Sequence, residues 1–214
     1  MIKTPISMTT AGNENNSKPL VKNGVRFNTA IISPSETMTS LQIVCFFDYQ
    51  KNRHYEGGTY AVNEHFGGEI DLLRRSGFFR GAVLETLLIT PLLKQIPADR
   101  FLLLGLGDPE ELNADRIELI GYTAVMEAIK LQVKDFCFAP SLKDAGVVLS
   151  SEKTGISEML VKGMLRAITA SAALLQNNLL KPMVLTDITL LAGQAQGAGA
   201  YKGLQRAFGV YEGN

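Results

Sequence analysis

The chain has few of the residues that staple small secreted folds or hold metals. It contains two cysteines and two histidines in 214 residues. Cys45 and Cys137 each sit inside an apolar run, QIVCFF and DFCFAP, the pattern of buried thiols in a reducing compartment. A disulfide between them requires adjacent strands with suitable geometry. Neither has a second cysteine or a histidine at ligand spacing, which argues against a metal pair. His54 lies in a polar segment and His65 beside Glu64 on a predicted helix, and both read as surface residues.

Net charge is missing too, since 21 Lys plus Arg balance 21 Asp plus Glu. No whole-molecule field gathers nucleic acid or anionic membrane, and the electrostatic barrier to self-association is low. No stretch approaches the roughly 20 apolar residues of a membrane span. The opening MIKTPISMTTAGNENNSKP has no apolar core of signal-peptide length. These absences predict a cytoplasmic chain with no nucleic-acid or membrane partner. Residues 1–23 read as a poorly ordered tail and 24–214 as one domain large enough for a sizeable core.

What is present is an alternation of apolar strands and amphipathic helices. Residues 25–32 (VRFNTAII) predict an edge strand, and 41–47 (LQIVCFF) a central strand buried on both faces. A polar loop ending in paired glycines follows. Residues 60–75 predict one helix, with Val62, Phe66, Ile70 and Leu73 at helical spacing. Residues 84–90 and 100–106 predict antiparallel neighbours. Asn113 is a good N-cap for a helix whose face is Ile117, Ile120, Ala124, Ala128 and Leu131. Residues 135–139 predict a short buried strand, 154–176 a long helix, 184–191 the last strand and 198–208 the last helix. The alternation implies an α/β fold, a three-layer α/β/α sandwich around a mixed, mostly parallel sheet.

The segment ETLLITPLLKQIPADRFLLLGLGDPEE, residues 85–111, resembles the amino-terminal domain of the leucyl aminopeptidases, cytosolic two-metal exopeptidases. HFGGEIDLLRRSGFFRG, residues 65–81, is similar to the same domain, and YKGLQRAFG, residues 201–209, resembles the helix leading toward the catalytic domain. The resemblance spans about 25–209, with its specific part near 67–141, and implies a macro-domain-like fold. In that family two-metal hydrolysis uses clustered carboxylates and often a lysine, carried in the domain that would come next. Its glycine-rich and NTDAEGR-like motifs do not occur here, so the resemblance implies fold without peptidase activity. No catalytic residue, metal or cofactor is expected.

Two glycine segments at strand-to-helix junctions are candidate anion sites. Gly105-Leu-Gly107-Asp108 could cradle a phosphate on backbone N–H groups, but Asp108, Glu110 and Glu111 would repel one, and a tight turn explains it as well. Gly193, Gly197 and Gly199 form the better site by charge, since no acidic residue lies among them and Lys202 and Arg206 follow. It would lie at a strand's carboxyl end, where open α/β sheets bind ligands. Macro domains bind ADP-ribose at comparable loops, an analogy of fold; a plain connecting segment is the alternative. Arg74, Arg75 and Arg80, with Phe78 and Phe79 between, read as a helix end whose phenylalanines enter the core.

The family's domain decorates a hexameric assembly. The expectation is therefore a stand-alone, non-catalytic domain acting through protein contacts, with copies of itself or a full-length aminopeptidase as partner. A module binding ADP-ribose or another phosphorylated small ligand at 193–199 is the alternative.

Overall fold

The computed structural model describes residues 20–91, 96–142, 145–146 and 155–212. The elements run β1 (Leu20–Lys22), β2 (Val25–Ala30), β3 (Gln42–Phe47), α1 (Gly57–His65), α2 (Glu69–Arg75), β4 (Thr86–Ile89), β5 (Phe101–Gly107), α3 (Ala114–Lys130), β6 (Asp135–Ala139), α4 (Gly155–Gln176), β7 (Asp187–Leu191) and α5 (Gly197–Glu212). The strands form one sheet in the order β1-β2-β7-β6-β3-β5-β4. The four central pairings are parallel, and β1 and β4 join antiparallel at the two ends. This is the mixed, mostly parallel sheet the alternation predicts.

Strand alternation splits the core into two layers. Ile43, Cys45 and Phe47 of β3, with Leu102, Leu104 and Leu106 of β5, face α3, α4 and α5. Val44 and Phe46, with Phe101 and Leu103, face the opposite way onto Val62 of α1, Phe66 just after it and Ile70 of α2. A strand apolar at every position is thus required, because both of its faces are covered. Cys45 and Cys137 fall in opposite layers although β3 and β6 are neighbours, so the two free thiols cannot meet as a disulfide.

On the three-helix face, α3 and α4 touch backbone to backbone. A Cβ on Gly121 would fall on the Leu160 carbonyl, and one on Gly163 on that of Glu118. Asn113 caps α3 as expected, its Oδ1 accepting from the Arg116 amide at 3.0 Å.

Three expectations are corrected. β2 is not an edge strand, because residues 20–22, placed in the tail, pair with it through a hairpin at Asn23 (φ 48°) and Gly24 (φ 81°). The predicted helix over 60–75 is two helices. Gly67 (φ 62°) and Gly68 (φ 81°) turn the chain, and Asn63 spans the break, its Oδ1 accepting from the Asp71 amide. The last strand starts at Asp187 rather than at 184, with Thr186 just before it donating to the Lys134 carbonyl and accepting from the Arg26 amide, both at 2.8 Å. Residues 1–19 of the expected tail, and Thr154 at the expected start of α4, lie outside the described residues.

Candidate functional site

All five parallel strands, β2, β7, β6, β3 and β5, point their carboxyl ends at one edge of the sheet. The chain leaves β3 toward β5 on one side and returns to β6 on the other. Ligands in open α/β sheets bind outside carboxyl ends at such a reversal. Three segments expected or found to matter lie on this edge: the turn after β7, the end of β5, and the loop after β3.

The turn after β7 closes on itself. Gly193 accepts from the amides of Gln196 (2.9 Å) and Gly197 (3.1 Å), and Gln196 accepts from Ala200 at 2.9 Å. Gly193 is exposed, Gly197 buried and Gly199 half-buried. A Cβ on Gly197 would stand 2.7 Å from Cδ1 of the exposed Ile31, so the start of α5 passes close to the residue that follows β2. Lys202 is exposed more than a turn further along α5. The structure brings Gly193 and Gly197 together and leaves Lys202 apart from them in the helix.

Gly105 and Gly107 do not form a cradle. Gly105 lies within β5, and both amides are committed, Gly105 to the Glu85 carbonyl (2.7 Å) and Gly107 to that of Gly81 (2.9 Å). A Cβ on Gly105 would fall on the Ala82 carbonyl. The pair is built for close passage of the 81–85 segment across the strand end. Asp108, next in sequence, pairs with Lys51 at 2.9 Å, and the hydrogen bond from that ammonium holds its carboxyl below the usual range.

The loop after β3 covers a group the sequence misassigned. Arg74 was grouped with exposed Arg75 and Arg80, but it is 2% exposed. Its Nη2 donates to the carbonyls of Phe47 (3.0 Å) and Asn52 (3.2 Å). Its guanidinium carbon stands over the rings of Phe46, Tyr49 and Tyr55 at 4.9, 5.3 and 5.3 Å. Burial pulls its pKa down from the usual arginine value. The nearby Asp71 is engaged elsewhere, accepting from the Tyr55 hydroxyl at 2.5 Å and from Asn63 Nδ2 at 3.4 Å. Burial, then the Asp71 bond, pushes the Tyr55 hydroxyl well above its ordinary pKa. Phe79 enters the core, but Phe78 is 68% exposed, correcting the expectation that both do. The signal for Arg74 was available: it follows buried Ile70 by four residues, on the same helix face.

His54 and His65 are exposed. Among the described residues, no three His, Cys, Asp or Glu side chains gather as a metal-holding group. The apolar cavity beneath the ends of β3 and β5, lined by Cys45, Leu106, Ile117 and Leu160 among others, is about 10 Å³. That is at the lower limit for a single water, and nothing polar lines it.

The fold is that of an α/β/α domain, and the comparisons agree. Residues 43–168 match the model of the cytosol aminopeptidase family, N-terminal domain, and the chain belongs to that family. It superposes on a tomato leucine aminopeptidase variant with a TM-score of 0.62 at 13% identity, over 91% of this chain and 39% of that one. The chain thus spans about two-fifths of that enzyme. An Oceanobacillus iheyensis macrodomain with ADP is similar with a TM-score of 0.59 at 9% identity, over 90% and 95% of the two chains. A Trypanosoma brucei macrodomain in complex with ADP-ribose is similar with a TM-score of 0.60 at 12% identity, over 86% and 72%. At these identities the likeness is one of fold. No curated protein sequence matches the chain.

Proposed function

We propose that this chain acts as a non-catalytic aminopeptidase amino-terminal domain, working by protein association in the cytoplasm with copies of itself or with an aminopeptidase subunit. The observation that carries the reading is the family match over the body of the fold. It is supported by the closed ligand edge, where the amides of Gly105, Gly107 and Gly197 are spent within the chain. The balanced charge leaves association unopposed by a net field. Sedimentation velocity on the full chain, alone and mixed with a leucine aminopeptidase, tests it. Concentration-dependent self-association or co-sedimentation is expected. A chain that stays monomeric and does not co-sediment would overturn the reading.

A second reading, a module for ADP-ribose or another phosphorylated ligand, is favoured by one observation. The exposed, acid-free turn at Gly193–Gln196 opens onto the amino end of α5, where anions are favoured. Calorimetric titration with ADP-ribose, repeated on Gly197→Glu, separates the two. Saturable heat lost in the variant supports the module, and the absence of heat removes it.

A further inference from the structure

Arg74 is a buried cation with no carboxylate in direct contact, Asp71 and Asp48 acting on it only through space. It is 2% exposed, its Nε and Nη1 have no hydrogen-bond partner, and no carboxylate among the described residues forms an ion pair with it. Carbonyl and π contacts compensate part of the desolvation, but a buried charge is retained at a cost unless it is paired. The site lies at the carboxyl end of β3, where the chain reverses direction across the sheet.

One side chain separates this guanidinium from a second one. The Tyr49 ring is half-buried, with Arg74 at 5.3 Å from its centroid and the exposed Arg53 at 5.0 Å. The Tyr49 backbone is tied down, its N–H donating to the Arg80 carbonyl at 2.8 Å, so the ring can turn about its side-chain torsions without moving the strand end. A compact anion in the place of the ring would lie within reach of both guanidiniums. Nη2 of Arg74 already donates to two carbonyls, so Arg74 can offer an oxyanion single N–H bonds from Nε or Nη1, and such charge-assisted bonds are strong ones.

We propose that the Tyr49 ring occupies an oxyanion site formed by Arg74 and Arg53, and that a phosphate or carboxylate group binds there when the ring turns outward. The ring is a built-in placeholder. The site lies at the carboxyl end of β3, the fifth of the seven strands, and uses no residue of the 193–199 turn. Its failure is therefore distinguishable from that of either functional reading, and the Gly197→Glu variant retains it.

The test is calorimetric titration of the full chain with inorganic phosphate and, separately, with acetate at matched ionic strength. Tyr49→Ala removes the placeholder and is expected to bind at least one of the two anions about tenfold more tightly than the parent, a change of roughly 1.4 kcal/mol. The anion with the larger gain names the ligand class. Adding Arg74→Met to Tyr49→Ala is expected to abolish the binding. Should that double variant fail to fold, Arg53→Met in the Tyr49→Ala background is expected to weaken binding about fivefold. A folded Tyr49→Ala chain that binds neither anion better than the parent overturns the proposal. So does binding that is indifferent to Arg74→Met, or to Arg53→Met where that variant stands in.

Discussion

Asp135 shows how one residue couples the sheet to pH. It opens β6 and accepts from Thr39 Oγ1 (2.6 Å), the Ser40 amide (2.9 Å) and Ser40 Oγ (2.8 Å). Burial pushes its carboxyl up, but these three bonds together outweigh burial and hold it below the ordinary value. Its neighbour across the ladder, Asp187, is held down chiefly by the hydrogen bond from Arg26 at 2.8 Å. A carboxylate whose folded pKa is depressed contributes stability above its unfolded pKa, near 3.9, and loses it as pH falls through the folded value. Urea midpoints should therefore drop between about pH 5 and about pH 3, and Asp135→Asn should flatten part of that drop while lowering the midpoint at neutral pH. The cysteines make a second residue-level prediction. Burial pushes Cys137 up to about 11 and Cys45 further still. With no thiolate at neutral pH and both side chains buried, alkylation should follow global unfolding, and rapid labelling of the native chain would contradict that.

At the scale of elements, glycine decides how closely helices approach. Gly163→Ala places a methyl group on the Glu118 carbonyl of α3, with backbone on both sides and no flexible atom to yield. It should cost about 1–3 kcal/mol or more by urea denaturation. Gly209→Ala, in α5 with nothing within 4 Å of the new methyl, should gain roughly 0.5–1 kcal/mol from helix propensity. Helices and strands were legible in the sequence because most follow one strong period. α3 and β6 have their expected positions, since Asn113 and Pro140 punctuate them. Two of the misreadings share a cause: glycines at positive φ outrank periodicity. Val62, Phe66 and Ile70 keep helical spacing across Gly67–Gly68, yet the chain turns there. The Asn23-Gly24 pair is a hairpin signal and announced β1, but it lay inside a polar stretch read as tail.

For the whole molecule, fold and family were legible because they rest on long apolar patterns and a 27-residue stretch, 85–111, of specific sequence. The candidate edge was legible only in outline. Spacing placed both glycine segments at strand-to-helix junctions; Gly105 and Gly107 lie within β5, Gly193 in the turn after β7, and Gly197 and Gly199 in the first turn of α5. Whether an amide is available depends on which carbonyl stands opposite, as with Glu85 and Gly81, and that is long-range information absent from local sequence. Arg74 was misassigned for the same reason, since its environment is built by β3 and the loop after it. No helix among the described residues is long and apolar enough to cross a membrane.

The two faces of the sheet are covered unequally. One carries α3, α4 and α5, of 17, 22 and 16 residues, with α3 and α4 locked backbone to backbone. The other carries α1 and α2, of 9 and 7 residues, neither with a side-chain cap. Short uncapped helices contribute little of their own stability. Native-state hydrogen exchange should therefore divide the molecule into two cooperative units. The amides of α1 and α2 should open by a sub-global fluctuation, while those of α3, α4 and the central strands exchange only through complete unfolding. The loop over Arg74 would then belong to the half of the protein that breathes.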